Sequence, residues 1–169
     1  MATVVVGPAR KVGESVADVF LAHRNPVWRD KSDFIINAKL PERDERFEQL
    51  WARQISDDTF EICCIPFFLY DVALGDVVQT APEGERKYVM SKVIRGSGRY
   101  VFRVWFGRSF QPREDVATEL VSLGAAIEWS SPNLLAVDAA DATTAKRIAE
   151  ALQVYENQGG LEYETGRTS

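Results

Sequence analysis

The groups able to make or break bonds in this chain are few, and their spacing suits chemistry poorly. His23 is the single histidine, so a Ser-His-Asp triad or a zinc site of the common kind exists only if His23 serves in it. The two cysteines, Cys63 and Cys64, are adjacent, the wrong spacing for Cys-x-x-Cys coordination. On a strand such neighbours point to opposite faces. An ordinary disulfide between them is therefore excluded, and both are expected as buried thiols in a reducing compartment. Arg95-Gly96-Ser97-Gly98-Arg99 is glycine-rich but lacks the Lys-Ser/Thr element of a phosphate loop. Its backbone N–H groups, flanked by two arginines, still make a candidate anion site. Carboxylate pairs such as Asp57 with Asp58, or Glu162 with Glu164, are of a kind that exposed surfaces offer everywhere. No catalytic residue, metal ligand or cofactor is assigned, and the expectation leans away from an enzyme.

The elements that position these residues fall into three stretches. In residues 1–33, Val4 to Val6 read as a short strand. Val16, Val19, Phe20 and His23 follow at the i, i+3, i+4, i+7 spacing of one helical stripe, with Ser15 as a cap and Asn25-Pro26 as the stop. Residues 34–98 carry strand signals in quick succession: Phe34 to Leu40, Phe47 to Ile55, Thr59 to Ile65, Gly75 to Thr80 and Lys87 to Arg95, with a turn at Ala81-Pro82-Glu83-Gly84. Closely spaced antiparallel strands of this length hide their edges by curling into a small barrel or a bent sheet. Residues 99–169 change rhythm. From Arg99 to Phe106 the two-residue period puts Tyr100, Phe102, Val104 and Phe106 on a core face, and Arg99, Val101, Arg103 and Trp105 on the other. A helix opens at Pro112 and stops at Gly124, a hairpin joins Ala125–Trp129 to Leu134–Asp138, a second helix begins at Thr143 or Thr144, and Leu161 to Glu164 ends the series. The fold class is α+β: a small β-barrel or bent sheet followed by a ferredoxin-like βαββαβ unit.

Composition bounds the function. With 169 residues, 46% hydrophobic and 27% charged, the chain is ordinary globular protein, large enough for one core or two small ones. No apolar run approaches the roughly 20 residues that span a bilayer, and the start lacks the basic region of a secretory signal, so a soluble cytoplasmic protein is expected. The net charge of −5 hides an asymmetry: Arg86 to Arg108 is strongly basic, whereas acids dominate from Ser109 onward. A net acidic half disfavours nonspecific nucleic-acid binding and attracts a basic partner.

Three functions are compatible with this pattern. The first is a protein-binding module, in its sharper form an immunity or antitoxin-like protein neutralising a basic toxin or effector. Its interface is expected at Glu114, Asp115, Glu119, Glu150 and Glu156, with Trp129 as an aromatic anchor. The second is a small-ligand-sensing or regulatory domain using the free face of the ferredoxin-like sheet, often as a homodimer, with Trp51, Phe67, Phe68 and Asp76 as an alternative pocket and Arg95 and Arg99 around an alternative anion site. The third is RNA contact through Arg95, Arg99, Arg103 and Trp105, since arginines and aromatics on an open sheet stack unpaired bases.

The middle of the chain also resembles a known pattern. Leu50-Trp51-Ala52, Ile65-Pro66-Phe67-Phe68, Gly75-Asp76-Val77-Val78, Ser97-Gly98 and Arg103-Val104, in that order, are similar to a bacterial family catalogued as domain of unknown function four-two-six-five. The resemblance runs from about Phe34 to Tyr163 and implies a shared fold without an activity. The usual asparagine of the Asn-Ile-Pro-Phe pattern is replaced by Cys64 here, and the residues before Phe34 look like an addition.

Overall fold

The computed structural model describes residues 4–6, 19–41, 46–108 and 113–167. Alternation of apolar side chains builds two sheets. In the first, β3 (Phe34–Lys39), β4 (Arg46–Gln54), β5 (Thr59–Ile62), β6 (Val77–Glu83) and β7 (Arg86–Arg95) pair in the order β4-β3-β7-β6-β5, and β5 pairs back onto β4. The five strands therefore close on themselves as a ring, which removes the open edges that such short strands would otherwise expose. Ile36, Leu50, Ala52, Phe60, Ile62 and Val78 fill its interior, with Phe34 and Tyr88 packed against Phe60.

β1 (Val4–Val6) and β2 (Val19–Ala22) extend this sheet beyond β4. The helix expected around Val19, Phe20 and His23 is corrected at its described end: Val19 to Ala22 run as a strand parallel to β4, with Leu21 opposite Glu48. β2 is paired with β1 on one side and β4 on the other, partners distant in sequence that local spacing does not register. Val16 and the cap Ser15 lie outside the described residues. β3 and β7 also pair in parallel, so the sheet is not purely antiparallel as expected.

The second sheet is β11 (Glu162–Thr165), β8 (Tyr100–Trp105), β10 (Leu134–Ala139) and β9 (Ala126–Ser131), in that order and antiparallel throughout. Helices α1 (Arg113–Ser122) and α2 (Ala142–Asn157) cover one face. The alternation of β8 decides that face: Phe102, Val104 and Phe106 pack under Val116, Leu120, Ile148 and Leu152. Asp141, rather than Thr143 or Thr144, caps α2 by accepting the Thr144 N–H at 2.8 Å. That shortens the expected hairpin-to-helix connection, and Pro112 lies outside the described residues.

The other face of this sheet meets the segment that leaves β5. Val101 and Ala136 pack against Ile65, Phe67 and Ala73, a third apolar layer that joins the ring to the four-stranded sheet. The strand expected to reach Ile65 stops at Ile62, because Cys63 to Phe68 turn away to form this layer. The turn expected at Ala81-Pro82-Glu83-Gly84 moves to Gly84-Glu85; Pro82 stays in β6 where the register slips, so its missing N–H breaks no ladder bond.

Candidate functional site

The junction layer holds a group of charged side chains with almost no access to water. His23 follows β2, Glu48 points inward from β4, and Glu128 points from β9 toward the ring; they are 3%, 0% and 4% exposed. The His23 imidazole donates from Nδ1 to Glu128 Oε1 and from Nε2 to Glu48 Oε1, both at 2.8 Å. The segment between Cys64 and Phe68 supplies the remaining donors. Ile65 N–H reaches Glu128 Oε2 at 2.5 Å, Phe67 N–H reaches Glu48 Oε1 at 2.6 Å, and Phe68 N–H reaches Glu48 Oε2 at 3.0 Å. Pro66, which has no N–H, occupies the one position in this run where none is needed.

Protonation follows from geometry. A neutral imidazole has one N–H, yet both ring nitrogens face carboxylate oxygens that can only accept. His23 is therefore an imidazolium. Burial works against that charge, but the ring's hydrogen bonds, to the Cys64 sulfur as acceptor and to the carboxylates of Glu128 and Glu48, overcome it and hold the pKa well above 6.5. The Phe67 ring lies flat on the imidazolium, with centroids 4.0 Å apart and planes at 10°, and the Trp51 indole N–H donates to the His23 carbonyl at 3.1 Å.

One positive and two negative charges, with three backbone N–H groups aimed at the negative ones, form a joint between the two sheets. As an acid–base device it is closed. An imidazolium bonded at both nitrogens has no lone pair to accept a proton, and neither Cys64 beside it nor the adjacent Cys63 supplies a thiolate. Burial pushes the Cys64 thiol up, and burial with the Glu61 carboxylate pushes Cys63 up to about 11. Both are free and buried, as expected. Among the described residues, no group of three His, Cys, Asp or Glu side chains is placed to hold a metal ion.

The residues expected to form one ligand site are distributed over three places. Phe67 and Phe68 line a groove of about 300 Å³ together with Arg103, Trp105, Leu134, Glu162, Tyr163 and Glu164. Asp76 and Arg99 line a separate cavity of about 230 Å³ at the junction, with Asp71, Gly96, Gly98 and Arg167. Trp51 belongs to neither: it sits against His23, with the Arg29 guanidinium 5.3 Å over its ring. Asp76 also has a structural task, accepting Ala73 N–H at 2.9 Å and Ser97 N–H at 2.7 Å to lock the turn through Gly75. Trp51, Phe67, Phe68 and Asp76 are thus not brought together in one pocket, and Phe67 packs in the junction layer rather than inside the ring.

The arginine face of β8 is largely spent inside the molecule. Arg99 forks onto the fully buried Asp138, with Nε at 3.0 Å from Oδ1. Arg103, 5% exposed, donates to the Leu69 carbonyl, pairs with Glu164 at 3.3 Å and lies 4.6 Å over the Tyr70 ring. Arg95 is exposed at the end of β7, and Trp105 is 46% exposed. The open, arginine-lined sheet that RNA stacking requires is therefore not what β8 presents.

The acidic residues also divide. Glu114, Asp115 and Glu150 are exposed on the helices, Glu150 lying 4.0 Å from Lys146. Glu119 accepts the Tyr155 hydroxyl, and the half-buried Glu156 accepts Tyr163 N–H at 3.3 Å. Trp129 is partly buried and packs against Phe106, with centroids 5.7 Å apart, beside the core beneath the helices. The residues that the sequence left unmarked are Glu48 and Glu128, whereas Glu162 is marked only as half of an exposed carboxylate pair. For Glu128 the available signal is an acid between Ile127 and Trp129 on a strand, and for Glu48 an acid on the same face of β4 as Leu50 and Ala52; each demands a buried partner.

With this geometry in place, the chain can be set beside known proteins. The family model described as Domain of unknown function (DUF4265) matches residues 48–163. The chain belongs to that family. In this DUF4265 protein the matched stretch begins at Glu48 and contains Glu128, whereas His23 precedes it; the resemblance extends less far toward the start than Phe34. No curated protein matches the chain. A solved structure, described as the novel crystal structure of a hypothetical protein from Neisseria gonorrhoeae, is similar with a TM-score of 0.65 at 20% identity, covering 77% of this chain and 91% of that one. At that identity the likeness concerns the fold.

Proposed function

We propose that this DUF4265 protein is a non-enzymatic protein-binding module that captures a basic partner, in its sharpest form an immunity or antitoxin-like protein neutralising a basic effector. The same proposal takes the strand ring as a small barrel and the β11-β8-β10-β9 sheet with its two helices as a ferredoxin-like unit, supported by the strand order and by both helices lying on one face. The observation that carries the function is a contrast in exposure. The histidine, cysteines and inward glutamates that could do chemistry are sealed, while Trp105 and Glu162 stand open on the uncovered end of the second sheet. Glu114, Asp115 and Glu150 add exposed negative charge on the helices, where Val121 and Val154 are 49% and 55% exposed. Such charge steers a basic partner and speeds its association.

A photo-reactive residue placed at Trp105, compared with one at Ile94 on β7, tests this in the source cell. The expected product is a single basic protein cross-linked at 105 and absent at 94, forming a stoichiometric complex whose association slows when Glu114→Lys and Glu150→Lys are combined. Capture of an acidic protein, of RNA or of nothing at 105 would overturn the proposal. A second function is favoured by one observation: the junction cavity of about 230 Å³, lined by Arg99, Arg167 and Asp76, fits a small-ligand-sensing domain. A ligand-induced thermal shift abolished by Arg167→Ala would select it.

A further inference from the structure

We infer that the groove beside Trp105 is a receptor for an arginine side chain of the partner. The inference rests on the capture of a basic protein proposed above and names the group recognised. It comes from a repeat built into the sheet. β8 and β11 pair so that Arg103 lies opposite Glu164 and Trp105 opposite Glu162, two residues apart and hence on the same face.

At the first pair the molecule already holds a guanidinium. Arg103 is placed over the Tyr70 ring and against the Glu164 carboxylate, with Tyr70 Oη donating to Glu164 at 3.0 Å. An aromatic face and a carboxylate are the two surfaces that a planar cation uses at once. The second pair presents the same two surfaces without a cation. The Trp105 indole and the Glu162 carboxylate are both exposed, and among the described residues Glu162 has no ion-pair or hydrogen-bond partner and no cation lies over Trp105.

The surroundings fit the same guest. Phe68, Leu134 and Tyr163 give the groove apolar walls for a side chain's methylene stem, and its volume of about 300 Å³ admits a single long side chain rather than a bulky cofactor. The charges lining it, Arg103 against Glu162 and Glu164, leave a net negative site. The position of the indole is set by its neighbour: its pyrrole edge lies against Gly107, where an added Cβ would come within 3.4 Å of Nε1. An arginine is favoured over a lysine because a guanidinium can stack on the indole while forking to Glu162, whereas an ammonium remains a hydrated point charge.

The test uses short acetylated peptide amides containing arginine, lysine or citrulline at one position, titrated into the full chain by isothermal calorimetry, with the Trp105 indole N–H resonance followed in the proteins that retain Trp105. Binding tightest for arginine, about tenfold weaker for the uncharged citrulline, intermediate for lysine, and weakened several-fold by Glu162→Gln or Trp105→Ala is the expected result. Both substituted side chains are exposed, and an unchanged Tm confirms that the variants are folded. Equal response to arginine and citrulline, no response at millimolar peptide, or indifference to Glu162→Gln would each overturn the inference. The two proposals fail separately: a basic protein cross-linked at 105 without arginine preference in the peptides removes the receptor and leaves the binding function, whereas arginine preference without a protein partner does the reverse.

Discussion

Replacing Glu128 by glutamine probes the joint between the two sheets with a change of one atom. The carboxylate accepts two bonds, from His23 Nδ1 at 2.8 Å and from Ile65 N–H at 2.5 Å. A glutamine side chain has one accepting oxygen. Whichever way the amide turns, its NH₂ faces either the imidazolium N–H or the backbone N–H, so one charge-assisted bond worth about 1.5–3 kcal/mol is lost and a buried donor is left unpaired at a further cost of about 1–3 kcal/mol. The sum agrees with the roughly 3–5 kcal/mol typical of breaking a buried ion pair from one side. In urea unfolding followed by tryptophan fluorescence, with a slope of about 2 kcal/mol/M, the midpoint should fall by about 2 M. Glu150→Gln on the exposed face of α2 should stay within about 0.5 kcal/mol of wild type. A loss below about 1 kcal/mol for Glu128→Gln would refute the claim that the cluster carries paired charge.

Further outcomes follow from the same structure. Because the folded pKa of His23 lies above its unfolded value near 6.5, its contribution to stability is complete below about pH 6.5 and is lost as pH rises through the folded pKa. Urea midpoints measured toward alkaline pH should decline in the wild type, and in Glu128→Gln the decline should begin at lower pH. Neither cysteine should react with a thiol reagent at pH 8 until the protein unfolds, since both are buried and their thiols are pushed up. Gly166→Ala should cost about 1–3 kcal/mol by thermal melting, because the added Cβ meets Val101 Cβ at 3.0 Å. Asp141→Ala should lower Tm by uncapping α2; in the wild type this contribution is lost as pH falls, since the Thr144 N–H holds the Asp141 carboxyl below its usual value.

Local periodicity carries much of the fold and little of the joint. In β8 the alternation of Phe102, Val104 and Phe106 with Val101, Arg103 and Trp105 assigns each side chain to a face, because strand geometry leaves no other choice. The stripe of Ala145, Ile148 and Leu152 does the same for α2. Val19, Phe20 and His23 mislead because their spacing satisfies a helix, while the pairings that make Val19 to Ala22 a strand are with β1 and β4, both distant in sequence. His23 is the sharper case. Its partners stand 25 and 105 residues away, and a lone histidine carries no local sign of which carboxylates will face it. Arg103 and Trp105 were legible as neighbours on one face, but not that the first is consumed by Glu164 and the second left open. That difference is set by the cross-strand register of β11, the last strand of the chain.

The account depends most on His23 being a sealed imidazolium that ties the two sheets together, and the chain's single histidine makes this directly measurable. In a sample labelled with ¹⁵N-histidine, the ring nitrogens should both carry slowly exchanging protons at pH 7.5, with a titration midpoint well above 6.5. A neutral single-tautomer spectrum at that pH, or a midpoint at or below 6.5, would contradict it.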